Sequence, residues 1–186
     1  MKLLVKNMVS KRCIMAVKQL LSELHIHPSD ITLGEIELSH PLSIVKQEQL
    51  KKALLLIGLE LVTDKKSMLI EKIKSSILEL VHYSDEPVNK KYSCFLSEKL
   101  KYDYTYLSNI FKKTKGICIE DYIIAHKIER VKQLLVYSNM SLTEISYHLN
   151  YSSVGHLSNQ FKKVTGITTR DFKQSPNKQF IPLEVL

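Results

Sequence analysis

The chain has 186 residues, of which 44% are hydrophobic and 25% charged, a balance that suits a globular protein and excludes a disordered chain or a coiled rod. Lys and Arg number 27 against 19 Asp and Glu, for a net charge of +8. No apolar run approaches the roughly 20 residues of a membrane span, and residues 1–11 lack the apolar core and cleavage site of a signal peptide, so a cytoplasmic location without a membrane partner is expected.

In chain order, residues 1–6 read as a strand and 11–24 as a helix with Ile14, Val17, Leu20 and Leu21 facing inward. Residues 31–38 alternate like strands broken at Gly34, 47–57 are helical, and 59–62 form a last strand. The order βαββαβ predicts a ferredoxin-like sandwich over 1–64, within an α+β chain. An amphipathic linker helix follows over 65–86, capped by Asp64 and carrying Leu69, Ile70, Ile73, Ile77, Leu80 and Val81. That stripe is expected to pack on the first domain, with a dimer seam as the alternative. The boundary is expected at 85–89, and an all-α domain over 87–186.

Between the first strand and helix, Asn7-Met-Val-Ser-Lys-Arg-Cys13 resembles the M-x-C-x-x-C loop of heavy-metal-associated domains, the small copper carriers. Two thiolates at that spacing suit Cu(I), but Ser10 stands where the first cysteine would be, and a hydroxyl is a poor ligand for a soft metal. No metal site is therefore expected, and Cys13 alone remains as a candidate for metal binding through a second chain or for redox chemistry. Cys13, Cys94 and Cys118 are odd in number and widely spaced, which excludes a disulfide framework. No Gly-rich phosphate loop, paired carboxylates or Cys-His constellation points to an enzyme or a cofactor.

The charge is uneven: residues 1–87 hold 12 basic and 11 acidic side chains, residues 88–186 hold 15 and 8. The basic half implies an anionic partner, nucleic acid first and an anionic membrane surface second.

That half also contains a repeat. LSNIFKKTKGICIEDY at 107–122 recurs as LSNQFKKVTGITTRDF at 157–172, with nine of sixteen positions identical. Upstream, Leu100 and Tyr102 correspond to Leu149 and Tyr151 with a one-residue offset. Each copy reads as helix, turn, helix. In the second, Ser141 and Glu144 fit a capping box, Leu142, Ile145 and Leu149 share a face, and Leu157 and Phe161 point inward before Gly166 ends the second helix. In the first, Phe95, Leu96 and Leu100 precede Leu107, Ile110, Phe111 and the stop at Gly116. This is the pattern of a helix-turn-helix, whose second helix enters the major groove. A Gly- and Pro-free helix over 119–137, about 28 Å long at about 1.5 Å per residue, joins the copies. Such a connector suits recognition helices roughly one DNA turn apart.

With these residues the sequence resembles the AraC/XylS family of transcription regulators. The resemblance spans Tyr92 to Gln174 and rests on Leu107, Phe111, Lys112, Gly116 and Tyr122, on Arg130, Leu134 and Leu135, and on Ser141, Leu142, Ile145, Tyr151, Ser152, Ser153, Leu157, Phe161, Lys162, Thr165, Gly166 and Phe172. Thr169 and Lys173 depart from the proline and arginine common in the family, and Asn150 replaces its turn glycine, a position Asn tolerates because it can enter left-handed backbone. The resemblance implies a sequence-specific regulator that binds double-stranded DNA, with the first domain as sensor or interaction module. RNA polymerase and a second copy of the chain are further candidate partners.

The expected DNA-binding residues are Thr105, Ser108, Asn109, Lys112 and Lys113 in the first copy, and Gly155, His156, Ser158, Asn159, Lys162 and Lys163 in the second. The lysines are expected on phosphates, and the polar residues at or near base edges, where Asn pairs geometrically with adenine. A metal- or redox-responsive protein acting through Cys13 is the alternative.

Overall fold

A computed structural model describes residues 1–62, 64–84 and 90–186, and it mixes a small antiparallel sheet with a helical region. The boundary expected at 85–89 lies outside the described residues. Two compact units emerge, Met1–Ser75 and Ser76–Leu186.

The first unit runs β1 (Lys2–Lys6), α1 (Lys11–Glu23), β2 (Pro28–Thr32), β3 (Glu35–Leu38), α2 (Ile44–Leu56) and β4 (Glu60–Val62), then most of α3 (Lys65–Leu78). The sheet order is β2-β3-β1-β4 and every neighbouring pair is antiparallel, with Leu3 opposite Ile36 and Val5 opposite Leu61. Leu3 and Val5 join Val17, Leu21, Leu50 and Leu54 of the helices in one core. Leu4, on the other face by strand alternation, is only 2% exposed, so that face is covered too.

Local chemistry moves two boundaries from where periodicity put them. α2 starts at Ile44, not at residue 47, because the Ser43 hydroxyl accepts the Lys46 backbone N–H at 3.3 Å and fixes the first turn. β2 starts at Pro28, not at residue 31. It is an edge strand in which only Ile31 is buried, so a proline and two polar residues fit where alternation gives no signal. Gly34, at φ +77°, makes the β2–β3 turn, and a Cβ there would lie 3.3 Å from that of Ser75 on α3.

Asp64 caps α3 as expected, its carboxylate accepting the Ser67 N–H at 2.8 Å. The helix continues through a π-helical turn at Glu79–Tyr83.

In the second unit that turn leads to α4 (Tyr92–Leu100), α5 (Tyr104–Lys115), α6 (Ile119–Tyr137), α7 (Leu142–His148), α8 (Val154–Thr165) and α9 (Thr169–Gln174). The connector spans the residues expected of it. Gly116 and Gly166 close α5 and α8 at φ +77° and +81°. Each is followed by a two-residue step into the next helix, α6 in one copy and α9 in the other. Leu157, Phe161 and Phe172 pack with Ile128, Val131, Leu134, Leu135, Ile145 and Leu149 in a core of their own. Among the described residues, no helix is long and apolar enough to cross a membrane.

Candidate nucleic-acid interface

The second helices of the two copies, α5 and α8, are built alike but begin differently. α8 starts from Ser153, whose hydroxyl accepts the His156 N–H at 3.1 Å. α5 starts from Asp103, whose carboxylate accepts from Thr105 at 2.8 Å and Tyr106 at 3.4 Å. Both caps satisfy backbone donors, but Asp103 places a negative charge at the start of α5, and Ser153 places none at the start of α8. The preceding turns enter left-handed backbone at Lys101 (φ +61°) and Asn150 (φ +52°), the matched positions of the repeat. The box at α7 forms reciprocally: Glu144 N–H donates to the Ser141 hydroxyl, and Ser141 N–H to the Glu144 carboxylate.

Leu107, Phe111, Leu157 and Phe161 are fully buried, which aims the opposite side of each helix outward. Thr105, Asn109, Lys112 and Lys113 on α5, and Gly155, His156, Asn159, Lys162 and Lys163 on α8, are exposed; Ser108 and Ser158, at matched positions, are half-buried. Thus each helix presents an amide followed by a lysine pair in its last turn. His156 is held in place: its Nδ1 is 2.9 Å from the Ser152 hydroxyl, and its ring meets Tyr151 edge-on at 5.4 Å. Nothing local demands the glycine at 155, where a Cβ would meet only Ser153 Oγ at 3.8 Å.

The sequence reading missed several residues. Tyr106 occupies the position of His156, is 49% exposed, and stacks on Tyr102 with centroids 5.5 Å apart. Aligning the repeat with its offset kept in the turn would have found it. Tyr151, carried by the family resemblance, proves to be a strut: its hydroxyl donates to Gln160 of α8 at 2.9 Å, while the Lys127 ammonium of α6 sits 3.6 Å from its ring centroid. Burial pushes the Lys127 amine down to about 8, and the ring's negative face opposes that shift by favouring the cation. On α6, Glu129 and Lys132 form a buried ion pair, and Glu129 also accepts the Ile181 N–H at 3.1 Å, tying the chain after α9 back to the connector. A buried pair, His82 Nε2 and His126 Nδ1 at 3.2 Å, joins the π-helical turn to α6. Burial, together with His126 and Arg130, pushes His82 down to about 3, so it is neutral at pH 7.

In the first unit, Ser10 has a different job from that of a vanished ligand. Its hydroxyl accepts the Cys13 N–H at 3.3 Å and caps α1, and it lies 3.2 Å from the Cys13 thiol. Among the described residues no cluster of three or more His, Cys, Asp or Glu could hold a metal ion.

Comparison with known proteins follows the same division. Residues 96–175 match the family described as "Helix-turn-helix domain". The HTH-type transcriptional regulator YtdP of Bacillus subtilis is 28% identical over 104 residues, covering 56% of this chain and 13% of that protein. The Msm operon regulatory protein of Streptococcus mutans is 26% identical over 110 residues, covering 56% of this chain and 40% of its own length. The chain therefore spans well under two thirds of these curated relatives. Among solved structures, the C-terminal domain of AraT, a response regulator from Geobacillus stearothermophilus, superposes with a TM-score of 0.51 at 20% identity, covering 64% of this chain and 92% of that one, which shows a shared fold. Residues 96–175 are thus similar to the family described as "Helix-turn-helix domain", and the paired helices with their common connector agree with that match.

Proposed function

We propose that the chain is a sequence-specific transcription regulator of the AraC/XylS type, with α5 and α8 reading successive major grooves of double-stranded DNA. The observation that carries this reading is the repetition, on two helices joined by the 19-residue α6, of one outward face with an amide and two lysines. Lys112, Lys113, Lys162 and Lys163 contact phosphates and set the register; Thr105, Ser108, Asn109, Gly155, His156, Ser158 and Asn159 lie at or near base edges. The second helix is the stronger reader, because Asp103 repels phosphate at the start of the first. Relatives described as transcription regulators support the same reading.

Residues 1–64 serve as a ferredoxin-like sensor or interaction module, residues 65–86 link it, and residues 87–186 bind DNA. The strand order and the uniformly antiparallel pairing support the ferredoxin-like description. A response through Cys13 is the less favoured reading, since Ser10 is engaged as a helix cap.

Selecting duplexes from a random-sequence pool with the purified chain at physiological salt tests the proposal. A motif of two boxes about 10 base pairs apart is expected. Binding without sequence preference, or none, overturns the specific reading.

A further inference from the structure

In the first unit, α2 carries apolar side chains on the side that faces water. Ile44, Val45, Leu55 and Leu56 are 83%, 67%, 54% and 88% exposed, while Leu50 and Leu54 on the opposite side are fully buried. Between the two exposed apolar ends stand Glu48 and Lys52, also exposed. At 100° per residue these six positions fall on one face of the helix.

Their order is its own complement. Val45, Glu48, Lys52 and Leu55 are spaced 3, 4 and 3 residues, the a/d seam of two heptads. Reversing the helix about Leu50 lays Val45 on Leu55, Ile44 on Leu56 and Glu48 on Lys52. We infer that α2 is a homodimer interface, in which the exposed faces of the α2 helices of two chains pack antiparallel, with the two-fold axis crossing the seam between Glu48 and Lys52, level with residue 50 along the helix. Val45 then meets the partner's Leu55, and Glu48 pairs with the partner's Lys52, each contact occurring twice as an isologous interface requires. A parallel arrangement would instead place Glu48 beside the partner's Glu48 and Lys52 beside the partner's Lys52, so the charges choose the orientation as well as the partner.

The seam is short. At about 1.5 Å per residue α2 is about 20 Å long, and it offers far fewer than the roughly 20–30 residues a side of a standard interface, so the association is expected to be weak and reversible. The inference does not depend on the DNA-binding reading.

Sedimentation velocity of the full chain from about 5 to 500 µM tests it. A concentration-dependent monomer–dimer equilibrium is expected. Glu48→Lys alone or Lys52→Glu alone turns both cross-pairs repulsive and weakens association on the order of tenfold or more, and the double reversal restores it. Leu56→Asp also weakens it, while circular dichroism and binding to duplex DNA at monomer concentrations stay unchanged. A chain that stays monomeric throughout, a dimer indifferent to single reversals, or a double reversal that fails to restore association overturns the inference.

Discussion

Lys112, Lys113, Lys162 and Lys163 offer the sharpest separation of function from fold. All four are exposed, lie in the last turns of α5 and α8, and make no ion pair among the described residues. If each neutralises one phosphate, they contribute a slope of about −3.6 to the dependence of log affinity on log salt, or a roughly 150-fold loss between 50 and 200 mM. Replacing Lys162 and Lys163 by Ala is expected to lower that slope by about 1.8, to weaken binding to specific and random duplexes alike, and to leave sequence preference unchanged. Fluorescence anisotropy on both duplexes at four salt concentrations measures all three quantities. Asn159→Ala should do the reverse, relaxing preference while keeping the slope. A competing role exists for lysines in these positions, because cations at a helix C-terminus complement its dipole. An unchanged slope accompanied by lower stability to urea would show that role and refute the phosphate assignment.

Gly155→Ala should stabilise α8 by up to about 1 kcal/mol, since helix propensity rises and the added methyl meets no close neighbour. DNA binding should nevertheless weaken; unchanged affinity would refute close approach of that backbone to DNA. Phe161→Ala, at 0% exposure, should cost about 3–5 kcal/mol in urea unfolding, and a loss under 1 kcal/mol would contradict its place in the core. His82 has a folded pKa of about 3 against 6.5 unfolded, so the unfolded chain binds more protons between those values. Its contribution is fully present above pH 6.5 and is lost as pH falls toward 3, costing about 1 kcal/mol between pH 6.5 and 5.5. His82→Gln should flatten that part of the stability–pH curve, and an unaltered curve would refute the assignment.

The duplicated module was legible because a helix-turn-helix writes its constraints locally. Apolar residues at helical spacing, the Ser141–Glu144 box, and stops at Gly116 and Gly166 each act within one or two turns, and repetition confirmed the pattern. The alternation and helical spacing of the first unit predicted its element order, but not where β2 or α2 begins. Those starts depend on an edge strand and on a serine hydroxyl, which hydrophobic period does not register.

What tertiary structure decided are contacts between residues distant in the chain. His82 and His126 are 44 positions apart, Glu129 and Ile181 52, and neither pair has a sequence signature. The sequence around Lys127 does not name its partner either; the fold places the Tyr151 ring, 24 positions away, against its ammonium. On α2 the apolar residues are spread round the helix without one stripe, and only the packed unit separates the face spent on the core from the face left to water. Sequence sets which conformations each segment favours, because those preferences are local. The partner of a buried charge, a ring or an apolar face is set by which segments the finished chain brings together.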